Sequence, residues 1–323
     1  MSETKPSEPL SPHVMAAIKQ RQRNKMQPIK NDNEANVSYK EHLLVPVEPR
    51  PEVHFITTLN QKFIPGFQRL MGSLEESSKL DNWDMTVVAM DEYCKEAKKA
   101  SPRVVDVFDV SSHEKKLALK TSSPRFQYNF NKLCVFSLPT DHVYIFIDSD
   151  TFCVGDLNAL RSWKPNITAV RNFVINEKTK REQVNYQRGT LPIFNTGVFC
   201  FKPDAELHQQ LMAFARKHYR GGVRLGDQEI MNDFFAANYP DQVQYAPYEY
   251  NYRGYIAHQM LHPRSPTHGE PLREDPKIIH LIHEIKPWMP GDVKKENHNA
   301  ALLWKKEITL DEYLKRDRKE RGL

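Results

Sequence analysis

His142-Val-Tyr-Ile-Phe-Ile-Asp-Ser-Asp-Thr-Phe152 holds an apolar run, Val143 to Ile147, that stops at two carboxylates one residue apart, Asp148 and Asp150. The run is too short for a helix and too uniform for a solvated edge, so it predicts a strand buried on both faces. In an open α/β sheet the ligand crevice lies at the carboxyl ends of the strands, which places these two acids where chemistry is done. Taken alone, the stretch reads equally well as a strand followed by an Asp-rich turn, because Asp favours turns for reasons of its own.

Working outward, further strand-like runs begin at Val53, Met85, Arg103, Ile167, Ile193 and Lys277. Helical stretches lie between them, at about Gly66–Ser77, Phe126–Leu138, Asp204–Tyr219 and Gly226–Phe235. This alternation predicts an α/β fold, a single Rossmann-like domain whose mixed, mostly parallel sheet is flanked by helices. No GxGxxG or GxxxxGK[ST] follows the first strand, which weakens dinucleotide and P-loop readings, since both need glycine for backbone to approach phosphate. Residues 1–50 read as a polar, flexible arm, 51–299 as the folded domain and 300–323 as a charged C-terminal helix. Asn172–Gly189 reads as a polar, mobile loop and a candidate lid. Tyr245–Tyr255 is either a stacking platform for sugars or bases, or an irregular loop packed by its own aromatics.

Composition narrows the class. The chain has 323 residues, 39% of them hydrophobic, enough for one large core or two modest ones. Its net charge of +5 comes from 46 basic and 41 acidic residues, a spread that does not resemble a nucleic-acid footprint. Cys94, Cys134, Cys153 and Cys200 are widely spaced with no CxxC pair, which indicates neither a zinc site nor a disulfide framework and fits a reducing compartment. The N-terminus lacks the apolar core of a signal peptide and no run is long enough to span a bilayer, so a cytoplasmic protein is expected.

Four motifs occur in series: Asp-Ser-Asp after a strand, Asn-Thr-Gly-Val-Phe at 195–199, Gly-Asp-Gln-x-x-Met-Asn at 226–232, and His280-x5-Lys286-Pro-Trp288. In this order they resemble glycosyltransferase family 8, the group of glycogenins and lipopolysaccharide galactosyltransferases, over roughly Val53–Pro290. The resemblance implies the GT-A fold and a metal-dependent transfer, with retention of configuration, of a hexose from a UDP-sugar to an acceptor. It implies Asp148, Asp150 and His280 as ligands of Mn²⁺ or Mg²⁺, with Ser149 and Lys286 beside the diphosphate. Thr58, Asn60 and Phe63 match the uridine site, with Phe63 stacking on uracil. Lys132, Asn195, Asp227 and Gln228 match positions that address the donor sugar; neither Asp227 nor Gln228 is assigned as a nucleophile.

The chemistry explains such a set. When UDP leaves, negative charge gathers on its phosphate oxygens, and a divalent ion held by carboxylates and one imidazole offsets it. Bland readings stand beside these: Lys132 as a snorkelling surface lysine, Asp227 as an ordinary N-cap. The chain also departs from the family. His283 replaces a glycine against the phosphates, where it would add a donor to the diphosphate or send the loop another way. Arg224 and Arg171 fall at or near acidic sugar-binding positions, which would suit a hexuronic acid donor through bidentate pairing. Tyr252 and Tyr255 open a self-glycosylating alternative of the glycogenin type. A sugar nucleotidyltransferase and a non-enzymatic sugar-nucleotide-binding protein are the other classes. The acceptor, whether carbohydrate, lipid-linked or protein, is not legible, because loops 172–189 and 256–274 would build its site; homo-oligomerisation stays open.

Overall fold

A computed structural model of the chain describes residues 49–50, 52–90, 97–99, 101–110, 124–139, 141–172, 174–176, 181–183, 193–219, 226–253, 275–282, 284–293 and 297–321. Its strands in chain order are β1 (Val53–Leu59), β2 (Trp83–Ala89), β3 (Val104–Asp109), β4 (Tyr144–Ile147), β5 (Thr151–Cys153), β6 (Ile167–Arg171), β7 (Val174–Asn176), β8 (Arg181–Gln183), β9 (Phe194–Phe201), β10 (Val243–Ala246) and β11 (Ile278–His280). Seven of them form the central sheet in the order β10-β6-β9-β4-β1-β2-β3. β1 runs parallel to β2 and β4, β2 to β3, and β10 to β6, whereas β9 lies antiparallel to both its neighbours. The sheet is thus mixed and mostly parallel, as the strand–helix alternation predicts.

Strand alternation sorts the apolar side chains onto two faces. Phe55, Ile145, Ile147, Val198 and Cys200 join one core with α1 (Ile64–Ser77). Ile56, Tyr144, Phe146, Phe199 and Phe201 join the other with α2 (Ala205–His218) and α3 (Asp227–Asn238). All of β4 is buried, which is why its sequence is an unbroken apolar run.

Several elements differ from the sequence reading. The stretch expected as an amphipathic helix at 126–138 is a run of 3-10 turns over Pro124–Ser137. The tail expected as one helix is two, α4 (His298–Trp304) and α5 (Leu310–Arg321), parted near Lys306 in a left-handed conformation (φ 59°). Its apolar side is not simply amphipathic cover: Tyr313 is buried, and Asp317 accepts from the Tyr252 hydroxyl at 2.6 Å. The loop at 172–189 contains the antiparallel pair β7 and β8. Tyr245, Tyr248, Tyr250 and Tyr252 are core residues, so the described part of the Tyr-rich segment, up to 253, is no exposed stacking platform, and Tyr255 lies outside the described residues. Among the described residues no helix is long and apolar enough to cross a membrane.

Asp204 caps α2, its carboxylate accepting from the Leu207 amide at 2.8 Å. Asp204→Ala is expected to cost about 1 kcal/mol of stability, read as a lower urea midpoint at unchanged slope.

Candidate active site

The reversed strand β9 builds the site. Because it runs against β4, its amino end lies beside the carboxyl end of β4. The Asp148 amide donates to the Gly197 carbonyl at 2.8 Å, which sets Asn195-Thr196-Gly197 against Asp148-Ser149-Asp150. β11 closes a third side by pairing with β5 so that His280 faces Thr151. A Cβ on Gly197 would sit 2.5 Å from the His280 ring and 2.8 Å from Asn195 Oδ1, so only glycine admits the imidazole here.

Acceptor atoms converge between these elements. Oxygens of Asp148 and Asp150 and a nitrogen of His280 lie within 4.8 Å of one another. His280 Nε2 is 3.3 Å from Asp150 Oδ1 and 3.9 Å from Asp148 Oδ2. Two carboxylates and one imidazole form a donor set that suits Mn²⁺ or Mg²⁺, so the residues present fit the ion that the sequence implies.

Two buried lysines flank the acids. Lys286 Nζ lies 2.6 Å from Asp150 Oδ2 and also donates to the Leu281 carbonyl. Burial works against the charge on Asp150, but Lys286 and His280 more than offset it and hold that carboxyl well below the usual carboxylate range. Lys132 Nζ lies 2.9 Å from Asp148 Oδ1 and 3.3 Å from Asp227 Oδ2. Its own burial opposes the charge, yet the two acids keep its pKa raised. Asp148 goes the other way: burial raises it, Lys132 lowers it, Asp150 raises it again, and the balance sits at about 6. Lys132 is therefore no surface lysine.

Asp227 is the first residue of α3 and no cap. Gly226 precedes it at φ 69°, and the Asp227 carboxylate turns inward to accept from the Thr196 hydroxyl at 2.7 Å. Asn195 Nδ2 donates to Gln228 Oε1 at 2.9 Å, and Asn232 bonds both the amide and the carbonyl of Phe194, anchoring the strand to α3. Asp227 is buried, whereas Gln228 is half-buried.

The end of β1 borders the same hollow. Thr58 is buried in the strand, and Asn60 Oδ1 accepts from the Lys62 amide, shaping the turn into α1. Phe63 packs edge-on against Trp288 with ring centroids 6.0 Å apart, and Lys286 Nζ lies 5.9 Å from the Phe63 ring centre. A Cβ on Gly66 would meet the Ser149 carbonyl at 2.5 Å and the Trp288 ring at 2.6 Å, so glycine lets α1 close on the Asp-Ser-Asp turn.

The structure thus brings Lys132, Asp148, Asp150, Asn195, Asp227, Gln228, His280 and Lys286 into one connected group. Phe63 lies beside it and Ser149 within the turn itself. His283 and Arg224 lie outside the described residues; Arg171 is buried at the end of β6. Sequence reasoning missed Thr196, Gly66 and Asn251. Asn251 sits in a Tyr-Asn-Tyr segment whose tyrosines dominate any reading by composition.

The model of Glycosyl transferase family 8 matches residues 12–290. Glycogenin-1 of Caenorhabditis elegans is 26% identical over 189 residues, 57% of this chain and 38% of that protein. Human Glycogenin-1 is 24% identical over 208 residues, 62% of this chain and 52% of that protein. The chain thus spans about half the length, or less, of these curated relatives. Among solved structures, the galactosyltransferase LgtC in complex with donor and acceptor sugar analogs superposes with TM-score 0.58 at 14% identity, covering 80% of this chain and 96% of that one. The apo form of GlyE from Streptococcus pneumoniae gives 0.52 at 20% identity, covering 82% and 62%. These likenesses are of fold, and the fold is GT-A.

Lys132→Met leaves Asp227 and Asp148 facing each other with no ammonium between them. It is expected to cost about 3–5 kcal/mol in chemical denaturation. Gly197→Ala is expected to displace His280 and weaken Mn²⁺ binding at least about tenfold by calorimetry, as a change in ligand orientation does.

Proposed function

The chain belongs to glycosyl transferase family 8, and from that premise we propose that it is a metal-dependent, retaining transferase moving a sugar from UDP to an acceptor. The observation that carries this is the meeting of Asp148, Asp150 and His280 beside a buried lysine, at the seam between β4, β9 and β11. When bound there, Mn²⁺ or Mg²⁺ supplies Lewis-acid stabilisation of the departing diphosphate.

The chain's own groups do the rest. Lys286, held at Asp150, is a fixed positive charge for the phosphates and gains strength as water is excluded. Thr58, Asn60 and Phe63 line the end of β1 where uridine would lie, with the Phe63 ring as its stacking face. On the sugar side, Asn195, Gln228, Lys132 and Asp227 form one hydrogen-bonded and ion-paired array. Asp227 is committed to Lys132 and Thr196 and buried, so its part is to hold Lys132 charged and in place. Gln228, partly exposed, is the member of that pair that meets the substrate.

A hexuronic acid donor is the second reading to be tested, although Arg171, the described one of the two arginines that suggest it, is buried. Self-glycosylation at Tyr252 is disfavoured, because its hydroxyl is buried and donates to Asp317. Tyr255 lies outside the described residues. Cys134, Cys153 and Cys200 are free and buried, which suits the cytoplasmic location that forms part of this proposal.

The test is a screen of UDP-glucose, UDP-galactose, UDP-N-acetylhexosamines and UDP-uronic acids with the full chain, reading nucleotide release and product mass. UDP release with Mn²⁺ that stops on chelation is expected. Asp148→Ala with Asp150→Ala should lower it at least about 100-fold, since the ion's contribution is several kcal/mol and about 1.4 kcal/mol is a factor of ten. Pyrophosphate in place of UDP would make the protein a nucleotidyltransferase. Neutral hexoses winning outright would end the uronic-acid reading.

A further inference from the structure

Asn251 is wholly buried in the turn between β10 and β11 and touches two members of the site at once. Its Oδ1 lies 2.9 Å from His280 Nδ1, and its Nδ2 lies 2.7 Å from Asn195 Oδ1. Asn195 Oδ1 also receives the Gly197 backbone amide at 2.8 Å, while Asn195 Nδ2 donates to Gln228 Oε1 at 2.9 Å.

The polarity of this chain of amides follows from one group that has no choice. A backbone N–H can only donate, so the Asn195 atom facing Gly197 is the carbonyl oxygen. The Asn251 atom facing that oxygen must then be its NH₂, which turns the Asn251 oxygen toward His280. His280 Nδ1 therefore carries a hydrogen and donates it. Its Nε2, the nitrogen 3.3 Å from Asp150 Oδ1, is thereby the one that faces the acids and, when it carries no proton, the one whose lone pair can take an ion. Reversing the Asn251 amide would set its oxygen against the Asn195 oxygen at a side chain with no exposed surface.

We infer that Asn251 is a positioning residue that joins the two halves of the site: it fixes His280 in the tautomer able to ligate an ion, and through Asn195 it fixes the amide of Gln228 on the sugar side. This rests on the metal reading of Asp148, Asp150 and His280 given above. A ligating histidine needs such a partner on its other nitrogen, and here the partner is neutral and shared with the groups that address the transferred sugar.

Three measurements on the full chain test it. Calorimetry with MnCl₂ in the presence of UDP reads the metal half without any turnover. Asn251→Ala is expected to weaken Mn²⁺ about 10–100-fold, the usual cost of losing such a partner. Asn251→Asp is expected to stay within about threefold of wild type for Mn²⁺, because a carboxylate also accepts from Nδ1–H. The same variant opposes a second carboxylate oxygen to Asn195 Oδ1, so kcat for the preferred UDP-sugar should fall at least about tenfold with KM little changed. Nitrogen-15 spectra of histidine-labelled wild type, assigned with His280→Gln, should show hydrogen on Nδ1 of His280 and need no Asn251 variant to fold. Wild-type Mn²⁺ affinity in Asn251→Ala, loss of Mn²⁺ binding and turnover together in Asn251→Asp, or an Nε2–H tautomer at His280 would each overturn the inference while leaving the proposed function standing. Wild-type protein that binds no Mn²⁺ would overturn both.

Discussion

An imbalance of charge at the end of β4 governs this molecule. Asp148, Asp150 and Asp227 are gathered in a largely buried hollow where, among the described residues, Lys132 and Lys286 are the ammonium groups paired against them. An ion pair at contact distance is worth about 4 kcal/mol at an effective dielectric of 20, and taking each charge from water costs several kcal/mol. Two ammonium groups therefore do not fully compensate three carboxylates. The remainder is concentrated on Asp148 and Asp150, where His280 offers a third ligand atom, and a divalent cation bound there would restore the balance. The same imbalance explains why Asp148 sits near 6 while Asp150, with Lys286 and His280 beside it, is held far lower.

A single topological departure makes the gathering possible. In a wholly parallel sheet, all strand starts lie at the edge away from the ligand crevice. β9, running backwards between β4 and β6, carries its first residues to the edge where the other strands end. Asn195, Thr196 and Gly197 thereby meet Asp148, and the missing side chain at Gly197 leaves the volume that His280 occupies. The carboxyl-terminal helices support the arrangement from behind: Trp304 packs on Trp288 at 5.2 Å, and Asp317 holds Tyr252, the neighbour of Asn251. Sheet, glycine and buttress act as one device for holding a histidine among acids.

Much of the fold was legible because its strands are buried on both faces and so appear as apolar runs. β4 is the clearest case, and β1 and β9 follow. Elements set by other forces were not legible. β5, three residues long, exists because β11 pairs with it across more than a hundred residues of chain. The tyrosines at 245–252 look like a polar platform in composition, yet each is packed inside, because a tyrosine ring is apolar over most of its surface. The tail reads as one charged helix, and the break near Lys306 leaves no mark in its periodicity.

Local order along the chain was enough to determine the class of sheet and the two acids at its edge, while His280 and Lys286 were singled out by the resemblance to a family. The first two are short-range properties, carried by burial and by residue type. Only the folded chain decided that Lys132 is interior, that Asp227 turns inward and does not cap its helix, and that Asn251 joins His280 to Asn195. Each of those depends on which distant atom stands opposite, and a hydrogen bond or buried charge takes its meaning from that partner, which no stretch of sequence contains.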